Sequence, residues 1–397
     1  MKLIAYIGAV VLAGSSTAGH PVTFDVQLLG VDANEGCAVA DFDNDGRLDV
    51  SAGRNWYRNP GEDAGDGGVW IPRPLRLIED ANGYTHSNGE YAYDVDGDGF
   101  ADIVSGDFFT DPVKWYRNPG EQDVLRGMLW TPGILANTGQ SSNEIGMLLD
   151  IDVDQDGTPE WIANQWTRDA PLIVWRFVEE NNVPGDTPPQ LVGHTIGPKN
   201  GHGIGFGDIN NDGRDDILVG TGWYERPEGD PLAGEWAFHA DWDDDFSCPM
   251  LVRDVNADGL SDIVWGNPHD YGVYVWLGQG ADAEGKLTFE QVALDESFSQ
   301  AHAIHFADLD GDGRDELITG KRVRGHNGND PGSDDPAIVV YYTWDEKFAS
   351  FQRHTICEGT VGIGLQIRTA DLDADGDLEI VVAGKDGTQI LWNRGAE

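Results

Sequence analysis

Small and apolar residues alternate over short stretches of this chain, and each stretch runs into a cluster of aspartates. The clearest case is 200–220, NGHGIGFGDINNDGRDDILVG. Its first half alternates glycine with larger residues, the pattern of a tightly packed two-faced strand. The segment DINNDGRDD interrupts the pattern, and Ile217, Leu218 and Val219 resume it as a second apolar strand. The pattern predicts four strands in this unit, over 203–207, 217–220, 222–226 and 236–240. Other units carry third strands around Trp56-Tyr57, 114–116, 173–176, 273–277 and 339–342. Their outer strands, with Trp, Thr and His in alternation, fall at 70–73, 130–133, 193–196 and 353–356. No helix of useful length is predicted: no 3.6-residue period persists, and glycine, at 53 residues, is too frequent.

The acidic turn occurs seven times, starting at Asp41, Asp94, Asp152, Asp208, Asp254, Asp308 and Asp371, with steps of 46 to 63 residues. A period of that size means a solenoid, a propeller or a similar array. Oxygen side chains fall at positions 1, 3, 5 and 9, and glycine at position 6. A hard cation such as Ca²⁺ needs several oxygen ligands from a short loop and a residue that tolerates a sharp turn. The expected ligands are Asp41, Asp43, Asp45 and Asp49 in the first turn, Asp94, Asp96, Asp98 and Asp102 in the second, and Asp152, Asp154, Asp156 and Glu160 in the third. Asp208, Asn210, Asp212 and Asp216 form the fourth set, and Asp254, Asn256, Asp258 and Asp262 the fifth. Asp308, Asp310, Asp312 and Glu316 form the sixth, and Asp371, Asp373, Asp375 and Glu379 the seventh. The last acidic residue sits at position 9 rather than 12 and no helical pattern flanks the turn, which excludes an EF-hand.

With Gly205-Phe206-Gly207-Asp208 as its opening, the repeat resembles the FG-GAP/VCBS repeats. The resemblance covers roughly residues 24–394. It implies an all-β, seven-bladed β-propeller with a calcium-binding DxDxDG turn between the first and second strands of each blade, so up to seven structural Ca²⁺ ions. The last unit runs out of chain before its outer strand. The stretch 24–29 is expected to supply it, closing the ring with the N-terminal strand and leaving no open edge. Residues 19–397 then form one domain.

Composition sharpens this. The net charge is −45, and 26 carboxylates sit at the turn positions. Bound cations would offset much of that charge, and a Ca²⁺-dependent fold is expected. Such acidity argues against nucleic acid and against anionic membranes as partners. Lys2, an apolar run over 3–13 and Ser16-Thr17-Ala18 read as a signal peptide over 1–18, hence a secreted protein, extracellular or periplasmic. No later segment is apolar enough to span a bilayer. Cys37, Cys248 and Cys357 allow one disulfide at most, and free, buried thiols are expected.

Chemistry is expected at the end of the units opposite the acidic turns, where the inner strands begin. Six residues before the motif aspartates stand Glu35, Asn88, His202, Cys248 and His302; eight before stand His86, Glu144, Asn200 and Gln300. Loops after the second strands add Arg54, Asn55, Asp107, Asn164, Trp166, Arg168, Trp223, His269, Tyr271, Lys321, Arg322, Arg324, His326 and Lys385. For His202, His302 and His86 the plain alternative is a polar channel with trapped water, and for Lys321, Arg322 and Arg324 a solvated loop. His194, His239 and His354 recur in outer strands and read as structural, as does His305. Trp223 reads as packing; Trp166 is either packing or a sugar-stacking platform.

The run 299–321, SQAHAIHFADLDGDGRDELITGK, with Gly201-His202-Gly203, resembles the propeller domain of the aldos-2-ulose dehydratases and related secreted propellers of carbohydrate lyase type. That resemblance implies β-elimination on a sugar, with a metal held near the axis by histidines. Elimination beside a carbonyl or carboxylate needs a base, an electrophile for the enolate and an acid for the leaving oxygen. His202, His302 and His86, with Glu35 or Glu144, are the candidate ligands for Zn²⁺ or another divalent metal. Tyr271 or His269 is the candidate base or acid. Lys321, Arg322 and Arg168 are the candidates for neutralising a substrate carboxylate. The competing expectation is a non-catalytic propeller that binds glycan or protein.

Overall fold

The computed structural model describes residues 21–396 except 82, 86, 109, 140–142, 166, 178–189, 202, 245–248 and 346. Strands dominate; the only helical segments among the described residues are one short α-helix, Glu121–Leu125, and a 3₁₀ turn, Gly325–Gly328. Apart from a two-stranded pairing of Asp80–Ala81 with Tyr84–Thr85, the strands fall into seven antiparallel groups of four, here called units 1 to 7. Each unit runs in chain order from inner to outer strand, as in Cys37–Ala40, Asp49–Ala52, Asn55–Arg58 and Ile71–Pro74 of unit 1. In unit 4 the strands are Ile204–Gly207, Asp216–Val219, Gly222–Glu225 and Ala237–His239. These lie within a residue or so of the predicted bounds. Units 4 and 5 merge into one sheet through a short parallel pairing of Gly205 and Phe206 with Met250 and Leu251.

Unit 7 takes its fourth strand from the other end of the chain. Val22–Gly30 pairs antiparallel with Gly387–Ala396, with Asp25 opposite Trp392 and Gln27 opposite Ile390. Its register is backed by Trp392 Nε1 donating to Gln27 Oε1 at 2.8 Å.

The core is divided between the units. Phe42 and Trp56 of unit 1 pack with Ile103, Tyr116 and Trp130 of unit 2. Tyr91 and Val104 of unit 2 pack with Trp161 and Phe177 of unit 3. Clusters of the same kind join units 3 and 4, 4 and 5, 5 and 6, and 6 and 7. A seventh joins Trp392 and Val381 of unit 7 to Val50, Tyr57 and Trp70 of unit 1. Sheets whose inner faces are glycine-rich or short-chained can approach closely, and the aromatic residues further out fill the widening gap. The result is an all-β architecture consistent with a β-propeller.

Cys37 is buried and Cys357 half-buried; both are free thiols, and burial pushes them up to about 12 and about 11. Cys248 and the leader expected over 1–18 lie outside the described residues. Among the described residues no helix is long and apolar enough to cross a membrane.

Candidate functional site

The seven acidic turns share one geometry. Position 4 is left-handed in each, at φ 55–71°, whether it is Asn44, Gln155, Ala257 or Gly97. Position 6 lies at φ 87–99° and is always glycine, because a Cβ is strained there even with open space around it. The first aspartate folds the turn onto itself. Asp41 accepts the N–H of Asp45 at 3.0 Å and of Gly46 at 2.8 Å, and the other six first aspartates accept the equivalent pair. The carboxylate at position 9 is buried and tied to backbone. Asp49 accepts the N–H of Phe42 at 3.1 Å and of Asn59 at 2.8 Å, and Asp102 accepts those of Val95 and Asn118. Burial pushes the Asp49, Glu316 and Glu379 carboxyls up to about 8 and those of Asp102, Glu160 and Asp216 to about 7.

Ligand oxygens nonetheless converge. Asp41, Asp43 and Asp45 bring one oxygen each to within 4.8 Å of one another, as do Asp94 with Asp96 and Asp102, Asp152 with Asp154 and Glu160, and Asp308 with Asp310 and Glu316. The turns are not equal. In units 1 to 3 a guanidinium from the third strand lies against positions 3 and 5: Arg58 on Asp43 and Asp45, Arg117 on Asp96 and Asp98, Arg176 on Asp154 and Asp156. Asparagines lock neighbouring units together beside the turns. Asn118 donates to the carbonyl of Phe42 at 2.8 Å, Asn59 to Leu372 at 2.8 Å and Asn393 to Leu309 at 2.8 Å.

At the other end, residues from units 1, 2, 6 and 7 meet around Glu35. Its carboxylate is fully buried and accepts from Arg322 Nε at 2.6 Å, Arg322 Nη2 at 2.8 Å, Lys385 Nζ at 3.0 Å and Asn88 Nδ2 at 3.0 Å. Burial alone would raise this carboxyl; Arg322 and Lys385 outweigh it and hold it at about 2. Glu35 is therefore saturated by cations and does not serve as the metal ligand expected from its position. The solvated-loop alternative for Lys321 and Arg322 also gives way, since they are only 2% and 6% exposed. Burial lowers the Lys321 ammonium, whose Nζ reaches the carbonyl of Ser333 at 3.2 Å.

Arg322 carries this cluster to the imidazoles. Its Nη1 lies 3.0 Å from His302 Nε2; guanidinium is only a donor, so that nitrogen accepts. The His302 ring is 5.8 Å from His269 and 6.0 Å from His326, while His269 and His326 are 4.4 Å apart, centroid to centroid. One ring nitrogen from each lies within 4.8 Å of the others. His269 Nδ1 is 3.1 Å from His326 Nδ1, which is 2.6 Å from Asp330 Oδ2. Gln300 Nε2 also donates to that carboxylate oxygen at 3.3 Å. The segment that brings His326 in is contorted: Arg324, His326 and Asn327 all have φ between 45° and 57°, a region costly for residues with a side chain. Beside it, Tyr271 Oη donates to Asp335 Oδ2 at 2.5 Å. That carboxylate holds the phenol above its usual range, so Tyr271 keeps its proton.

Of the expected catalytic residues, the structure thus gathers His302, His269, Arg322, Lys321 and Tyr271 at one mouth. His202 and His86 lie outside the described residues, as do Trp166 and the Glu144 side chain. Arg168 pairs with Asp243 and Lys199 with Asp169, at a separate surface. The outer-strand histidines have structural partners. His239 stacks on Trp223 at 4.2 Å, His354 stacks on Tyr341 at 4.5 Å, and His194 Nδ1 is 3.1 Å from the carbonyl of Leu232. His305 is half-buried against Thr369, and its partial burial lowers it to about 4. Asp330 was not foreseen; the length of the 321–337 connection, the longest between second and third strands, was the available signal.

Comparison with known proteins agrees with the repeat. An FG-GAP-like repeat matches residues 254–319 and an FG-GAP repeat matches residues 200–230. These are consistent with a domain of FG-GAP, β-propeller type. No curated protein matches the chain.

Proposed function

We propose that the chain is a secreted, calcium-binding, seven-bladed β-propeller, closed through its first strand, that acts on carbohydrate by metal-assisted β-elimination at the mouth around His302. The observation that carries this reading is the meeting of His269, His302 and His326 with the Arg322–Glu35–Lys385 cluster at the end away from the acidic turns. Seven four-stranded units joined by seven inter-unit cores support the ring, and the clustered aspartates support Ca²⁺ in the turns.

Elimination from a uronate-like sugar needs an electropositive seat for the carboxylate. Lys321, Arg322 and Lys385 supply cationic groups there, with Glu35 between Arg322 and Lys385 and with Asp334 and Asp335 near Lys321. A base lining this mouth takes the α-proton as the C–O bond breaks, and the Tyr271 hydroxyl, turning from Asp335, delivers its proton to the leaving oxygen. A divalent metal at this mouth would polarise the carboxylate and stabilise the enolate charge.

The test is incubation with a panel of polyuronates and neutral glycans in Ca²⁺ with added Zn²⁺. A rise in ultraviolet absorbance from the new double bond, lost in His302→Ala, is expected. Glycan binding without any such rise would replace this reading by that of a non-catalytic binding propeller.

A further inference from the structure

The geometry points to a mononuclear transition-metal site built from His269 Nδ1, His326 Nδ1 and Asp330 Oδ2, with its fourth corner open. This ligand set differs from the His202–His302 set that the strand positions suggested. The three atoms form a triangle with edges of 3.1, 2.6 and 3.7 Å. A tetrahedral ion with ligands at about 2.0–2.1 Å has edges of roughly 3.3–3.4 Å, between the shortest and the longest of these.

Proton counting supports the same conclusion. Neutral imidazoles carry one proton each, on either nitrogen, and an ionised carboxylate carries none. One Nδ1–H, that of His326, satisfies the contact with Asp330. His269 Nδ1 approaches that same His326 nitrogen to 3.1 Å. A divalent cation would take one lone pair from each of the three atoms. Two histidines and one carboxylate with an open position are also the donor set of catalytic rather than structural sites.

His302 stands beside the triangle but outside the set, because its Nε2 already accepts from Arg322 Nη1 at 3.0 Å. Its ring lies within reach of the open corner, where it meets whatever the metal holds. Gln300 Nε2 at 3.3 Å from Asp330 Oδ2 fixes the carboxylate from behind, as outer partners of metal ligands do. His269 and His326 are partly exposed, at 35% and 39% of their side chains, so an ion can enter from solvent.

The site deepens the proposed function but rests on geometry alone, and its test reads bound metal rather than turnover. The full-length protein, held in millimolar Ca²⁺ to occupy the acidic turns, is titrated with Zn²⁺ by calorimetry and with Co²⁺ by visible absorption. One equivalent with the intense bands of a tetrahedral Co²⁺ centre is expected. His326→Ala and Asp330→Asn each weaken binding at least about 100-fold, beyond the effect of losing an outer-shell partner. His354→Gln, in an outer strand, binds as the parent does. Melting curves of all four proteins in Ca²⁺ confirm that they are folded. The proposal is overturned if the parent takes up no tetrahedral Co²⁺, or if both ligand variants bind with unchanged affinity, as they would if the ions sat in the acidic turns. Metal bound as described, with no elimination on any sugar, would overturn the lyase reading and leave this site standing.

Discussion

Replacing Glu35 by Gln removes one negative charge from a site that holds two buried cations. Four donors converge on the carboxylate, two from Arg322 and one each from Lys385 and Asn88. The amide offers one acceptor oxygen and turns an NH₂ group toward the remaining donors. Removing one partner of a buried ion pair costs about 3–5 kcal/mol, mostly through the charge left behind. Linkage gives a second estimate. Holding the carboxyl at about 2 rather than its ordinary 4.5 corresponds to about 3 kcal/mol. With an unfolding entropy of roughly 2.1 cal/mol/K per residue, the midpoint should drop by about 4–6 °C. The sign with pH follows from the depressed folded value. The stabilisation is fully present above about 4.5 and is lost as pH falls from there toward 2. Urea unfolding of parent and Glu35→Gln in saturating Ca²⁺, from pH 7 to pH 3, measures the gap. The acidic turns titrate alike in both proteins and cancel. The triple variant Glu35→Leu, Arg322→Met, Lys385→Met should regain most of the loss, since an apolar set of similar volume leaves no charge unpaired. A gap under about 1 kcal/mol at pH 7, or one that stays constant down to pH 3, would refute the reasoning.

Other consequences are as direct. Stripping divalent ions with a chelator should lower the thermal midpoint, since each site filled at 100 times its Kd adds about 2.7 kcal/mol; an unchanged midpoint would mean the turns stand without ions. Asn118→Ala removes donors to the Phe42 and Ala101 carbonyls and the acceptor of the Gly120 N–H, and should cost about 2–3 kcal/mol in a denaturant titration. Once a substrate is in hand, Tyr271→Phe should cut kcat by about 10²-fold with KM little changed, because the hydroxyl acts in the transition state. A changed KM with normal kcat would make it a binding residue instead.

Much of the architecture was readable from the chain. The acidic turns announce themselves because their constraint is local: five or six consecutive positions must present oxygens and tolerate positive φ, and only a few residue types do both. The pairing of Val22–Gly30 with Gly387–Ala396 was foreseen from the missing outer strand of the last repeat. The long hairpin Tyr271–Ala281 and Leu287–Ser299 was only partly foreseen, over 273–277, because its alternation continues past the length typical of the other units. At the site, His269 and His302 were legible from where the strands begin and end. Lys321 and Arg322 looked equally suited to a solvated loop, since what buries Arg322 is Glu35, 287 positions away. Asp330 sits in GHNGNDPGSDDP, where no period distinguishes one aspartate from the next.

The pairing of the first strand with the last sets an order on folding. Val22–Gly30 finds its partner only once Gly387–Ala396 has been made, while units 1 to 6, which lie between them in the chain, can form as they appear. Loss of either segment leaves the other with the same unsatisfied strand edge, so damage at two places far apart in the chain has one structural outcome.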